Sequence, residues 1–307
     1  MDISVVTSLY RSEKHVKELH FKLFNVLSSI TNDFEIIFVN DFSPDLSLEY
    51  SKEIISNQNS KLKVIDLSRN FGQHKALMTG IEMAKGEIIF MMDSDLEENP
   101  DEIKRFYELY KGEYQNVDVI YGVQENRKGR FLEKRIGFIF HIVFGFLLKK
   151  DLKSTPTPFR LMTRKYVNNL IKFKEKEFFF LGISFLVGFE QVGVPIVKNK
   201  SSKTSYNFIK RFHQSFNAIV SFSDSPLKIV FFTGIFVFIL SLIHIFYLFI
   251  RYFYLGVGVE GWISIMTSIW FIGGIIICSI GIVGIYISKI FHEVKNRPFT
   301  IIKNIYE

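Results

Sequence analysis

The sequence predicts an α/β protein, an open and mostly parallel sheet followed by two apolar segments long enough to cross a membrane. Three observations predict it. Apolar β-rich runs alternate with helix-period segments over about the first 125 residues, as in parallel strands joined by right-handed crossovers. Each polar cluster in that region falls just after a strand, so the clusters converge on one sheet edge. Ile229 to Ile250 carries no formal charge, and Trp262 to Tyr286 has no acidic or basic residue. At ~1.5 Å per residue each covers a hydrocarbon layer of ~30 Å.

Ile3 to Leu9 is the first strand, and Val16, Leu19, Leu23, Leu27 and Ile30 then recur at helical spacing. Phe34 to Asn40 is the second strand, ending at Asp41, and Ser43-Pro44 opens the next helix as cap plus proline. Leu62 to Leu67 is the third strand, followed by a helix from Gln73 to Lys85 that Gly86 stops. Glu87 to Met92 and Val117 to Val123 are the fourth and fifth strands. Between them Asn99-Pro100 caps a helix whose first turn carries Asp101 and Glu102. Phe131 to Lys150 is apolar and bracketed by Arg130, Lys134, Arg135, Lys149 and Lys150, which fits a helix in the membrane interface or a core helix with solvated ends. Ser154 to Arg160 reads as a loop, because Pro156 and Pro158 disfavour regular structure. Arg211 to Phe222 is a second amphipathic segment.

Composition agrees. Of 307 residues, 48% are hydrophobic, and the mean hydropathy of +0.18 is high for a wholly soluble chain. Buried core helices would have to be apolar on every face to match the two spans. Lys200, Lys203, Lys210, Arg211 and Lys228 precede the first span, and Lys289, Lys295, Arg297 and Lys303 follow the second. The connection between them holds only Arg251 and Glu260. By the positive-inside rule both ends are cytoplasmic. The expected organisation is a cytoplasmic α/β domain over 1–225, with interfacial helices near 131–150 and 207–225. A two-helix transmembrane region follows over 226–288, with spans at 229–250 and 262–286, and then a basic cytoplasmic tail over 289–307. Met1-Asp2-Ile3 leads straight into a strand pattern, so no signal peptide is expected. The expected location is the inner (cytoplasmic) membrane, multi-pass.

The single Cys278 lies in the second span, which leaves no disulfide framework and no thiolate metal site. The histidines show no ligand-like clustering. A net charge of +7 suits an anionic lipid surface or an anionic substrate, and nothing resembles a nucleic-acid module. Gly273-Gly274, Gly281 and Gly284 fit close packing of the spans and equally a homo-oligomer interface.

Chemistry concentrates at Asp93 and Asp95, one residue apart between a buried strand and a helix start. Mg²⁺ or Mn²⁺ takes one or two protein carboxylates and fills its remaining positions with water and substrate phosphate. Alone, the spacing also fits a solvated acidic loop. Here Asp41 can hold a base or ribose hydroxyl, Arg69 is a phosphate partner, and Tyr10 is placed to pack on a ring.

In this company the chain resembles family 2 glycosyltransferases of GT-A (Rossmann-like) fold. More narrowly it is similar to membrane-anchored polyprenyl-phosphate glycosyltransferases, the group that includes dolichol-phosphate mannose synthases and bacterial undecaprenyl-phosphate glucosyltransferases. The residues that carry this are Ile36–Asp45, Leu67–Gly72, Met92–Leu96, Val119–Val123 and Phe159–Met162, with Gly188–Pro195, Gly284–Lys289 and Glu293–Pro298 in the tail. The resemblance implies inverting transfer of a sugar from a nucleotide-diphosphate sugar to a polyprenyl phosphate at the cytoplasmic face, feeding cell-surface glycan or lipid modification. It implies that Tyr10, Asp41, Arg69 and Asp93 bind the nucleotide sugar, and that Asp93 and Asp95 hold Mg²⁺ or Mn²⁺. It implies further that Arg127, Arg160 and Lys203 receive the acceptor phosphate, with Asp93, Asp95 and Arg160 as the catalytic set.

Several positions depart from that pattern. Relatives usually carry Asp immediately before the Phe-Arg-Leu triplet, where this chain has Pro158. Arg11-Ser12 stands for a usual Asn-Glu, Asn40 for Asp, Glu97 for Gln and Ile285 for Glu. A hydroxyl acceptor needs a general base, whereas a phosphate monoester, with a second pKa of ~6, is already anionic at neutral pH. Activity on a lipid phosphate therefore survives Pro158, and the change is expected to alter donor recognition. Of three rivals, the sequence disfavours two. A processive glycan synthase lacks its usual Gln-x-x-Arg-Trp motif here, since the only tryptophans are Trp262 and Trp270. A nucleotidyltransferase would not need two spans. A catalytically impaired nucleotide-sugar-binding scaffold of a glycan assembly complex is kept alive by Pro158, Arg11 and Ser12.

Overall fold

The computed structural model describes residues 1–56, 61–124, 155–175, 180–197, 225–255 and 261–307. The expected interfacial helix at 131–150, most of that at 207–225, and the candidates Arg127 and Lys203 lie outside the described residues. Two compact units are present. One comprises Met1–Lys210 with Arg297–Glu307, and the other Arg211–Asn296.

The first unit alternates as expected: β1 (Ile3–Leu9), α1 (Val16–Ser28), β2 (Phe34–Asn40), α2 (Ser47–Ser56), β3 (Leu62–Leu67), α3 (Gln73–Met83), β4 (Ile88–Met91), α4 (Glu102–Lys111) and β5 (Val119–Gln124). β6 (Thr155–Thr163), α5 (Arg164–Leu170), α6 (Phe180–Leu186) and β7 (Gln191–Pro195) follow. Every residue of β1, β2 and β3 is buried, which is why those strands read as unbroken apolar runs covered on both faces. α1 turns Val16, Leu19, Leu23 and Leu27 inward, one face at helical spacing. α2 starts at Ser47, a few residues after Ser43-Pro44, because the Asp45 carboxylate accepts from both the amide (3.2 Å) and the hydroxyl (2.6 Å) of Ser47. α3 lies close on the sheet. A Cβ at Gly80 would stand 2.5 Å from Val6 Cγ1 and 2.8 Å from Val39 Cγ2, so a side chain there would push the helix off β1 and β2.

The sheet order is β7-β5-β6-β4-β1-β2-β3-β8, with β8 (Ile302–Tyr306) the last strand. β3, β2, β1 and β4 are parallel neighbours. The chain runs outward from β1 to β3 and then returns to the other side of β1 as β4. The carboxyl ends of β1 and β4 therefore flank the switch point where such sheets bind ligands.

Three features add to or differ from the sequence reading. The fifth strand is separated from the fourth by β6, which lies antiparallel to both. The segment expected as a loop from Ser154 to Arg160 is, from Thr155 on, part of β6. Its prolines are tolerated because pairing with β4 stops at Met91–Arg160, and the ladder to β5 is irregular between Tyr121 and Val123, skipping from Arg160 to Pro156. Proline needs a missing partner or a bulge in a sheet, and here it has both. Lastly, part of the tail at 289–307 is β8, antiparallel to β3 from Val64–Tyr306 to Leu67–Ile302. Beneath the sheet, Phe159 meets Phe106 of α4 edge-on at 4.8 Å and Phe90 of β4 at 6.3 Å, an aromatic stack that fixes the base of β6.

The second unit contains two long helices, α7 (Ser225–Leu255) and α8 (Trp262–Val294). Ser268–Val294 is long and apolar enough to cross a membrane.

Candidate active site

The polar clusters at the ends of β1 to β4 converge, and hydrogen bonds join all four loops. From the β1 end, the Arg11 amide donates to Ser43 Oγ (2.7 Å) and the Ser12 amide to Ser47 Oγ (3.0 Å), tying it to the β2–α2 loop. The Ser12 and Ser94 hydroxyls are 2.8 Å apart, which links β1 to the Asp93–Asp95 turn across the switch point. From the β3 end, the Phe71 and Gly72 amides donate to the two Asp41 carboxylate oxygens at 2.7 and 2.9 Å. Gln73, the first residue of α3, donates from Nε2 to Asp93 Oδ1 at 2.6 Å.

Backbone strain follows the same edge. Arg11 (φ 55°), Phe42 (φ 53°), Gly72 (φ 94°) and Leu96 (φ 58°) lie in the left-handed region, one in each of the four loops. Non-glycine residues there cost energy and persist where neighbours over-determine them, commonly at binding sites.

The predicted residues fall into two groups. Tyr10, Arg69, Asp93 and Asp95 lie at the open edge. Tyr10 is 47% exposed with the Arg11 guanidinium 5.6 Å from its ring, and Arg69 is exposed and stacks on Phe71 at 4.4 Å. Asp93 is half-buried, Asp95 is exposed, and Asp95 Oδ1 accepts from the Glu97 amide at 3.0 Å. Among the described residues no cluster of three or more His, Cys, Asp or Glu could hold a metal. The expected carboxylate pair would offer a donor set that is all oxygen and two in number. That fits Mg²⁺ or Mn²⁺ completed by water and phosphate oxygens, and fits zinc poorly.

Asp41 and Arg160 are enclosed. Asp41 is 1% exposed. Burial raises its carboxyl pKa, and the Phe71 and Gly72 amides pull it part of the way back. Its carboxylate holds the Arg69–Gly72 loop against the sheet. Arg160 is 3% exposed and donates Nη2 to Thr157 O (3.1 Å) and Nε to Pro158 O (3.3 Å). Its guanidinium lies 4.8 Å from the Phe180 ring. Burial lowers its pKa while Tyr166, Glu98 and Tyr121 act the other way. Arg160 thus clamps the carbonyls of the prolyl bulge. An Arg160→Lys protein keeps the charge but loses the planar fork. We expect it to unfold ~2 kcal/mol more easily in denaturant, from two weakened bonds to buried carbonyls. Unchanged stability would remove the clamp.

Two further residues at this edge escaped sequence reasoning. Gln73 carries only the signal of an amide in the first turn after the Arg69–Gly72 loop. Asp45, whose carboxylate also accepts from the Glu13 amide at 3.0 Å and from Ser43 Oγ, reads as a turn residue and organises the whole β2–α2 loop.

The chain is similar to known proteins along most of its length. The sequence pattern of glycosyl transferase family 2 matches residues 4–171, and that of the GtrB C-terminal hairpin matches residues 225–290. A Mycobacterium tuberculosis protein provisionally described as a glycosyltransferase is 38% identical over 306 residues, covering 100% of this chain and 89% of its own length. The prophage-derived bactoprenol glucosyl transferase of Shigella flexneri is 28% identical over 99% of this chain and 98% of its own. Among solved structures, the glucosyl-3-phosphoglycerate synthase of M. tuberculosis with Mn²⁺, uridine diphosphate and phosphoglyceric acid shares the fold. Its TM-score is 0.52 at 14% identity, over 71% of this chain and 76% of its own. The fold is GT-A, Rossmann-like with a mostly parallel sheet, and the chain belongs to glycosyl transferase family 2.

Proposed function

We propose that the protein transfers a sugar from a nucleotide-diphosphate sugar to a polyprenyl phosphate of undecaprenyl type, with inversion, at the cytoplasmic face of the membrane. The observation that carries this is the Asp93–Asp95 pair at the switch point, bonded into a loop set that also presents Arg69 and Tyr10. In this reading Tyr10 and the loop held by Asp41 bind the nucleoside, and Arg69 meets the diphosphate as a charge-assisted donor. The two aspartates would hold Mg²⁺ or Mn²⁺, which when bound neutralises charge on the departing diphosphate. An acceptor phosphate oxygen forms the new bond to the anomeric carbon as the bond to the diphosphate breaks on the opposite face. That oxygen is already anionic, so Pro158 in place of an acid leaves no missing proton acceptor. We assign Arg127 and Lys203 to the acceptor phosphate. Arg160 acts on it through the segment that it clamps, as a positioning residue.

The membrane setting rests on two supports. α7 and α8 are both apolar along most of their length, with basic residues before the first and after the second. The chain also leaves the sheet unit before α7 and rejoins it after α8, as β8. A pair of spans would return the chain to the side it left, and the basic flanks support a cytoplasmic setting for both ends. The bactoprenol glucosyl transferase among the relatives supports a polyprenyl acceptor.

The test is direct. Purified full-length protein with Mn²⁺ or Mg²⁺ is given undecaprenyl phosphate and each common nucleotide sugar in radiolabelled form. Label is expected to move into the organic phase for one donor, and to stay aqueous when the metal is chelated. No transfer from any donor would reject the reading.

A further inference from the structure

We propose that Phe42 is the aromatic wall on which the donor's nucleobase stacks. This rests on the nucleotide-sugar reading above. Phe42 carries two costs at once. Its φ of 53° lies in the left-handed region, where a bulky L side chain is disfavoured, and the residue is 53% exposed to water. Neither is needed to build the turn, since glycine would remove both. A large apolar residue held strained and exposed at a site edge points to a ligand that covers it.

The surroundings fix what that ligand part is. Asp41, just before it, turns its carboxylate inward onto the Phe71 and Gly72 amides, so the exposed group that directly follows the β2 end is Phe42. The backbone on both sides is pinned. The Asp41 amide donates to Leu9 O at 3.0 Å, the Ser43 amide to Asn40 Oδ1 at 3.3 Å, and Ser43 Oγ receives the Arg11 amide. The ring is thereby presented at a set place, next along the sheet edge to exposed Tyr10 of the β1 end. Phosphates have nothing to gain from a phenyl face, whereas every base has a π-face that stacks on one. The ring therefore serves the base end of the donor and leaves the diphosphate to the Arg69 and Asp93 loops.

The experiment measures binding to the full-length protein in Mn²⁺ of three probes: uridine diphosphate, guanosine diphosphate and inorganic pyrophosphate, the last having no base. Phe42→Gly is expected to weaken whichever nucleoside diphosphate the parent binds by about tenfold or more and to leave pyrophosphate unchanged. The thermal midpoint of the ligand-free variant should hold or rise, since glycine accepts this φ freely. Phe42→Leu, which keeps apolar bulk without a π-face, is expected to lose base affinity too, and Phe42→Tyr to retain it. Equal nucleoside diphosphate affinity in parent, Gly and Leu variants would overturn the proposal. So would a parallel loss of nucleotide and pyrophosphate, which would mark a disturbed loop. A parent that binds neither nucleoside diphosphate overturns the donor reading itself, a result separate from any effect of position 42.

Discussion

Asn at both Asp93 and Asp95 is expected to abolish sugar transfer while the protein still folds. Loss of preorganised electrostatic stabilisation of a leaving group costs roughly 10²–10³-fold in turnover for a single contact, and the double variant should fall below detection. Stability should stay within ~0.5 kcal/mol, since neither side chain belongs to the core. Asn keeps the shape of Asp and an Oδ1 acceptor for the Gln73 amide at position 93 and for the Glu97 amide at position 95. The change therefore removes charge and leaves hydrogen bonding in place. Turnover, a thermal melt and Mn²⁺ titration of activity together check it. Normal glycan output in cells carrying the double variant would count against the assignment and favour a scaffold.

Those two aspartates were legible from sequence because they end an unbroken apolar run. The same signal gave β1, β2 and β3 at Ile3–Leu9, Phe34–Asn40 and Leu62–Leu67, where the structure has them. Burial on both faces writes each such strand into adjacent residues, and the polar residue after it marks the site edge. β6 was not legible for the opposite reason. Pro156 and Pro158 argue against a strand in general, and only the β5 irregularity and the early end of β4 pairing make room for them. That accommodation depends on partners far away in sequence. The inward turn of Asp41 and Arg160 was hidden likewise. Both are charged residues in a site motif, and their roles as internal clamps come from carbonyls and amides that only the folded chain brings near. At position 158, where the resemblance implies an acid, this chain supplies only a carbonyl, and Arg160 holds it.

Removal of residues 298–307 is expected to lower both stability and donor affinity, because β8 supports the site from behind. β8 was invisible in the sequence, since its partner β3 lies more than 230 residues earlier and a five-residue run says nothing of register. Its loss strips the Val64–Leu67 edge of its ladder, the Lys63–Glu307 ion pair and the Lys52 contact with the Tyr306 ring. At ~1 kcal/mol for each net hydrogen bond, the deletion should cost ~3–5 kcal/mol, a fall in thermal midpoint of roughly 10 °C for a unit of this size. The bare β3 edge should also promote aggregation. The functional part follows from where the segment attaches. The Ser68 amide donates to Ile301 O at 2.9 Å, directly before Arg69. Thr300 meets Thr79 of α3 at 2.8 Å, and Phe299 packs under Lys75 of the same helix. α3 begins at Gln73, which holds Asp93. Freeing that helix and the Arg69 loop should raise KM for the nucleotide sugar even at a temperature where the deletion protein is fully folded. Glu307→Gln separates the two effects. It removes the ion pair of exposed Glu307 with mostly buried Lys63 and leaves the β8 ladder in place, so it should leave KM untouched. A deletion protein with parental KM and a lowered midpoint would reduce β8 to an edge cover with no hold on the site.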